Sequence, residues 1–244
     1  MEFIGFILVT ILTIVISPLL KGLVNKFVEE DKLEEEENKK RNKKNKIEEK
    51  SKVKFVPEFD WKITGLTVLA EIILFIKFGV TAQFFVYSFL TLLLVIAMFA
   101  DIKGYIIPNE INFVGFLAGI ILTFLKFNVN VNSGLDSIAG MLVGFLVFLA
   151  IAGLSILLFK REGMGGGDIK LMGVIGLYLG FFNNIQVFIL SFFIAAIISI
   201  FLLATKIKKS DDYIPFGPFI VIAAYITMLF PASITMPMLF EILG

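Results

Sequence analysis

The chain has 244 residues, 58% of them hydrophobic and 28 of them Phe. A mean hydropathy of +0.93 excludes an ordinary water-soluble domain and indicates a polytopic membrane protein. There is no Cys and no His, which excludes disulfides, thiol nucleophiles, Cys/His zinc sites and serine–histidine catalysis. The net charge of +1 is uninformative as a total; its distribution along the chain is not.

A hydrocarbon core of about 30 Å is crossed by roughly 17–25 apolar residues in a helix. On that scale the sequence predicts eight spans, at residues 3–24, 63–80, 84–100, 111–127, 135–159, 169–182, 185–205 and 214–243. The expected fold class is all-α, a polytopic transmembrane helix bundle of about eight spans with one long charged cytoplasmic loop. Three regions follow: a first transmembrane helix at 1–24, a charged loop at 25–62 and a membrane core at 63–244. The first apolar stretch is too long for a cleavable secretory signal and lacks a basic leading region. In the loop, Glu35/Lys39, Glu36/Lys40 and Glu37/Arg41 have the i,i+4 order that supports a solvated helix or tether. Trp61 and Lys62 read as interfacial anchors of the second span. The last span contains Pro231 and Pro237, so it is expected to kink or end early.

Basic residues set the orientation. With eight spans, twenty of the 22 Lys and Arg residues fall on one side, and only Lys77 and Lys126 on the other. The basic side is then cytoplasmic and both termini are external.

Two carboxylates stand out against this frame. Asp101 closes the third span and Asp168 opens the sixth, so the topology brings both to the cytoplasmic face. Taken alone, Asp168 could be a helix N-cap after a glycine run. Capping does not explain Asp101, because an anion at a helix C-terminus opposes the macrodipole. The glycines of 163–167 permit backbone conformations closed to other residues and leave room for a substrate backbone. They lack the Gly-Lys-Ser/Thr ending of a phosphate loop. Glu71 is the one acid well inside an apolar span. It could bond helix to helix or line a substrate path. Pro215, Gly217 and Pro218 make a rigid start to the last span on the same face as the two aspartates.

This ordered set resembles the type IV prepilin peptidases, the GxGD class of intramembrane aspartic proteases. Gly165-Gly166-Gly167-Asp168 is similar to the GxGD signature, with Lys170 in its bacterial form. Asp101 followed by Ile107-Pro108-Asn109 resembles the first aspartate motif, and Ile214-Pro215-Phe216-Gly217-Pro218-Phe219 resembles the start of the family's last span. Glu71 matches an acidic position in its second span. The resemblance covers residues 63–224, about two thirds of the chain.

The resemblance implies an aspartic endopeptidase with Asp101 and Asp168 as its dyad. Gly165, Gly166, Gly167, Lys170, Pro108, Asn109, Glu71, Pro215, Gly217 and Pro218 would bind substrate or shape the site. It also implies a multi-pass protein of the inner or plasma membrane, with its site at the cytoplasmic face. The partners would be prepilin or pseudopilin precursors and the lipid bilayer, with no nucleic acid. Cleavage would need no metal and no cofactor. Members with a full N-terminal region also methylate the new pilin terminus with S-adenosylmethionine. Here the Cys-x-x-Cys pairs of that region are replaced by the Lys/Glu run, so methylation is not expected. The rival from another class is a transporter or assembly scaffold using Asp101, Asp168 and Glu71 for ion passage. Neighbouring reading frames for pilin precursors and secretion ATPases would separate the two.

Overall fold

The computed structural model describes residues 22, 25–26, 29, 61–160, 163–209 and 214–235. The first span, nearly all of the charged loop, residues 161–162 and 210–213, and the end of the last span lie outside the described residues. The described residues include seven delimited helices: α1 (Trp61–Phe78), α2 (Ala82–Gly104), α3 (Asn109–Val129), α4 (Val131–Phe159), α5 (Gly166–Leu179), α6 (Phe181–Ala204) and α7 (Gly217–Leu229). No strand occurs among them. The reason is the solvent: inside a bilayer every backbone N–H and C=O needs a partner within the chain, and a helix supplies one locally.

Among the described residues four helices are long and apolar enough to cross a membrane: Ala82–Gly104, Asn109–Val129, Val131–Leu158 and Phe181–Ala204. The protein is therefore a multi-pass membrane protein. Helix α1 carries Lys62, Glu71 and Lys77, while α5 and α7 have only 14 and 13 residues. Most expected boundaries shift by a few residues, and the sixth and last spans show why. The sixth span was expected to reach 182, but α5 ends at Leu179, because Gly180 takes φ 84 and breaks the helix. The last span was expected to run from 214, but α7 begins at Gly217 and ends at Leu229, two residues before Pro231.

The chain divides into two compact units, 1–108 and 109–244. In the first, α1 and α2 form a hairpin. Gly79 turns the chain at φ 57, and the Thr81 side chain caps α2 by accepting from Phe84 N at 3.2 Å. Edge-on ring pairs, Phe75–Phe84 and Phe78–Tyr87, close the seam near the turn. Further along, Ser88 Oγ donates to Glu71 Oε2 at 2.6 Å.

In the second unit α5 is the centre. From Asp168 to Leu179 only Lys170 is exposed. Helices α3, α4, α6 and α7 all pack against it. Such a short helix, about 21 Å at 1.5 Å per residue, leaves its end groups within the protein, where they need partners. Lys126 on α3 provides them: its Nζ donates to Tyr178 O at 3.1 Å, Leu177 O at 3.4 Å and Ser137 Oγ at 2.8 Å. Asp136 Oδ1 on α4 accepts from Phe181 N at 3.0 Å, at the start of α6. Helices α4 and α5 cross where Gly140 meets Gly176. A Cβ on Gly140 would stand 2.5 Å from Gly176 O. Asn184 Nδ2 on α6 bridges the crossing, donating to Gly140 O and Met172 O. On the outer faces, large side chains such as Leu157, Phe193 and Ile200 are exposed, as expected of helices solvated by lipid.

Candidate active site

Asp101 sits in the last turn of α2, a helix that runs three residues beyond it to Gly104. It is 3% exposed and follows the buried Ala97 and Ala100. Tyr105, in the left-handed region at φ 58, ends the helix by donating its N–H to Asp101 O at 2.8 Å. Lys103 points to a different partner, Asn25 Oδ1, at 3.0 Å. Ile107 and Pro108 follow as a buried, non-helical link.

Asp168 is the third residue of α5 and 4% exposed. The N-cap reading is corrected here. Gly165 occupies the cap with no side-chain bond, and Asp168 lies inside the first turn, donating its N–H to Gly165 O at 3.1 Å. A carboxylate there is favoured by the helix dipole. A Cβ on Gly165 would lie 3.2 Å from Asp168 Oδ2, so a side chain would crowd the carboxylate, whereas Gly166 faces open space.

Helix α3 holds this turn from the side. Lys170 Nζ donates to Asn109 Oδ1 at 2.6 Å, and Asn112 Nδ2 donates to Gly167 O at 3.4 Å. Asn109 and Asn112 are three residues apart, so they share a helix face. The sequence reading singled out Asn109 and missed Asn112. Its signal was there: a second amide one turn into an otherwise apolar helix. Beside these groups lies a groove of about 550 Å³, walled mainly by Phe113, Phe116, Leu142, Phe145 and Gly173, with Asn109, Asn112 and Lys170 among its polar lining groups.

The remaining sequence-selected residues are Pro215, Gly217, Pro218 and Glu71. Pro215, Gly217 and Pro218 form the start of α7, with Gly217 and Pro218 as its first two helical residues. Phe216 between them packs into a ring cluster with Phe148, Phe192 and Phe219. Glu71 is 3% exposed and bonded to Ser88, thirteen residues and about 20 Å along α2 from Asp101. Among the described residues no group of three or more Asp or Glu could hold a metal ion.

Residues 88–200 match the model of the type IV leader peptidase family, a stretch that contains both Asp101 and Asp168. Over that stretch the chain is similar to that family. It is 32% identical over 146 residues to a prepilin leader peptidase/N-methyltransferase of Aeromonas salmonicida (strain A449), covering 60% of this chain and 49% of the relative. Relatives of the same name in Pseudomonas putida and Bacillus subtilis (strain 168) are 27% and 32% identical. They cover 68% and 65% of this chain, and 56% and 61% of their own lengths. The chain thus spans about half to three-fifths of the length of these three relatives. No solved structure matches it.

Proposed function

We propose that this leader peptidase homologue is a membrane aspartic endopeptidase that removes the short basic leader from type IV prepilin-like precursors. The observation that carries the reading is that Asp101, in the last turn of α2, and Asp168, in the first turn of α5, are each buried and both fall within the family-matched stretch. In the proposed site the two share one proton, because neighbouring carboxylates do not both ionise cheaply. The ionised partner takes a proton from water, whose oxygen attacks the scissile carbonyl carbon. The protonated partner donates to the carbonyl oxygen. Collapse of the tetrahedral intermediate breaks the C–N bond and returns a proton to the leaving amine. The roles of base and acid belong to the pair.

Around the dyad, Gly165 keeps space open beside Asp168, and Asn109 and Asn112 hold the first turn of α5 in place. The cut is placed at the cytoplasmic face, with both chain termini external and the bundle crossing eight times. The support is the bias of twenty of 22 basic residues to one side. Substrates are prepilin or pseudopilin precursors held in the bilayer.

Methyl transfer is not part of the proposal. S-adenosylmethionine carries a sulfonium and an ammonium group, which call for acidic partners. The groove lined by Asn112 and Lys170 has no carboxylate among its lining residues, so it does not supply those partners.

The test is cleavage of a pilin precursor by purified Asp101→Asn and Asp168→Asn proteins. An amide cannot shuttle a proton, so each should lose at least about a hundredfold in rate while still inserting. Near-normal processing by either variant would overturn the dyad.

A further inference from the structure

We propose that the groove between α3, α4 and α5 receives the apolar residues that follow the scissile bond, and that Asn112 Oδ1 accepts a hydrogen bond from one of their backbone N–H groups. The proposal rests on the leader-peptidase reading and adds to it how the substrate is held.

Asn112 is the first reason. It is 4% exposed, and its Nδ2 is committed to Gly167 O, which sets the amide orientation. Its Oδ1 is buried and has no hydrogen-bond partner among the described residues. A buried acceptor left unmet costs about 1–3 kcal/mol. A bound peptide would remove that cost by supplying an N–H. Because Asn112 is bonded to the residue immediately before Asp168, a chain tied to it would run past the carboxylate.

The walls are the second reason. Phe113, Phe116, Leu142 and Phe145 are exposed large side chains on helices long enough to cross the bilayer, so the groove is reachable by an apolar segment. About 550 Å³ is room for several side chains and falls in the usual range for ligand pockets. Lys170 among the polar lining groups gives the bound chain a direction. Its charge repels a basic leader and leaves the groove to the apolar side of the cut.

Gly173 is the third reason. Unlike Gly176, it is not demanded by helix packing: a Cβ there would meet Phe145 Cβ at 3.4 Å, an ordinary contact. Its missing side chain leaves open groove.

Two experiments test this with the full chain in lipid nanodiscs. Gly173→Leu fills the groove. For a precursor with Leu and Phe residues in the first turn after the cut, KM should rise at least about tenfold, the worth of one unburied large apolar side chain. For a precursor with Ala at those positions the rise should be much smaller. An equal effect on both precursors, following the acyl length of the surrounding lipid, would assign the groove to a lipid chain and overturn the proposal. So would no effect at all. The second experiment replaces one peptide N–H after the cut by an ester oxygen in a synthetic precursor, at each early position in turn. At one position the ester should weaken cleavage by wild type yet cause no further loss in Asn112→Ala, which lacks the acceptor. Additive losses at every position would refute the hydrogen bond.

Capture keeps this separate from the activity itself. A precursor carrying a photo-crosslinking residue just after the cut should label residues 112–116 or 141–145 of wild type. Label elsewhere, with cleavage intact, sinks this inference and leaves the peptidase reading standing. Label at these residues without cleavage does the reverse.

Discussion

Replacing Gly176 by Ala should loosen the helix that carries Asp168. The new Cβ would overlap the Gly140 carbonyl and come within 2.6 Å of Met141 N, all of it backbone that cannot swing aside. Non-bonded carbons settle at roughly 3.5–4.0 Å, so α4 and α5 must part by about 1 Å. Overpacking of this kind costs about 1–3 kcal/mol, and the better helix propensity of Ala returns at most about 1 kcal/mol. Lipid gives helices no hydrophobic reason to stay together, so close packing is much of what is lost. Gly153→Ala on α4 is the control, because nothing lies within 4 Å of its Cβ. It should be neutral or stabilising by up to about 1 kcal/mol. Unfolding followed by circular dichroism in mixed micelles with rising dodecyl sulfate should separate the two variants by about 2 kcal/mol. Coincident midpoints would show that the crossing is not as close as described. Since Gly176 lies eight residues beyond Asp168 on the same helix, precursor cleavage should fall together with stability.

Three further outcomes are expected. Deleting residues 34–49 should leave cleavage within about twofold of wild type, because a solvated charge run has no apolar face to pack into a site; a deletion variant that inserts yet loses cleavage would give the loop a role in recognition. Reporter fusions after Lys160 and at the C-terminus should give opposite signals, since the basic-charge bias puts them on opposite sides; equal signals would mean a span count wrong by one between them. Pilin matured by this protein alone should keep a free N-terminal amine. A gain of about 14 Da that depends on this chain would show methyl transfer.

The all-helical class was legible because it follows from local properties. Long apolar runs in a bilayer must satisfy their own backbone, and no partner elsewhere in the chain is needed to say so. The candidate aspartates were legible for a related reason: acids at the ends of apolar runs stand out where charge is costly. Helix ends were less so. Asp168 looked like a cap, but a glycine run offers several possible caps, and only the folded turn shows that Gly165 is the one. Lys126 looked like an external charge, yet it folds onto the end of α5, a partner fifty residues away in sequence. The Gly140–Gly176 crossing, Asn112 against Gly167 and the groove with its Gly173 gap have the same origin. Each depends on how far apart neighbouring helices sit and which faces they turn to one another. In an apolar sequence with almost no polar face to mark the inside, that choice is made by side-chain shape and buried hydrogen bonds in the assembled bundle.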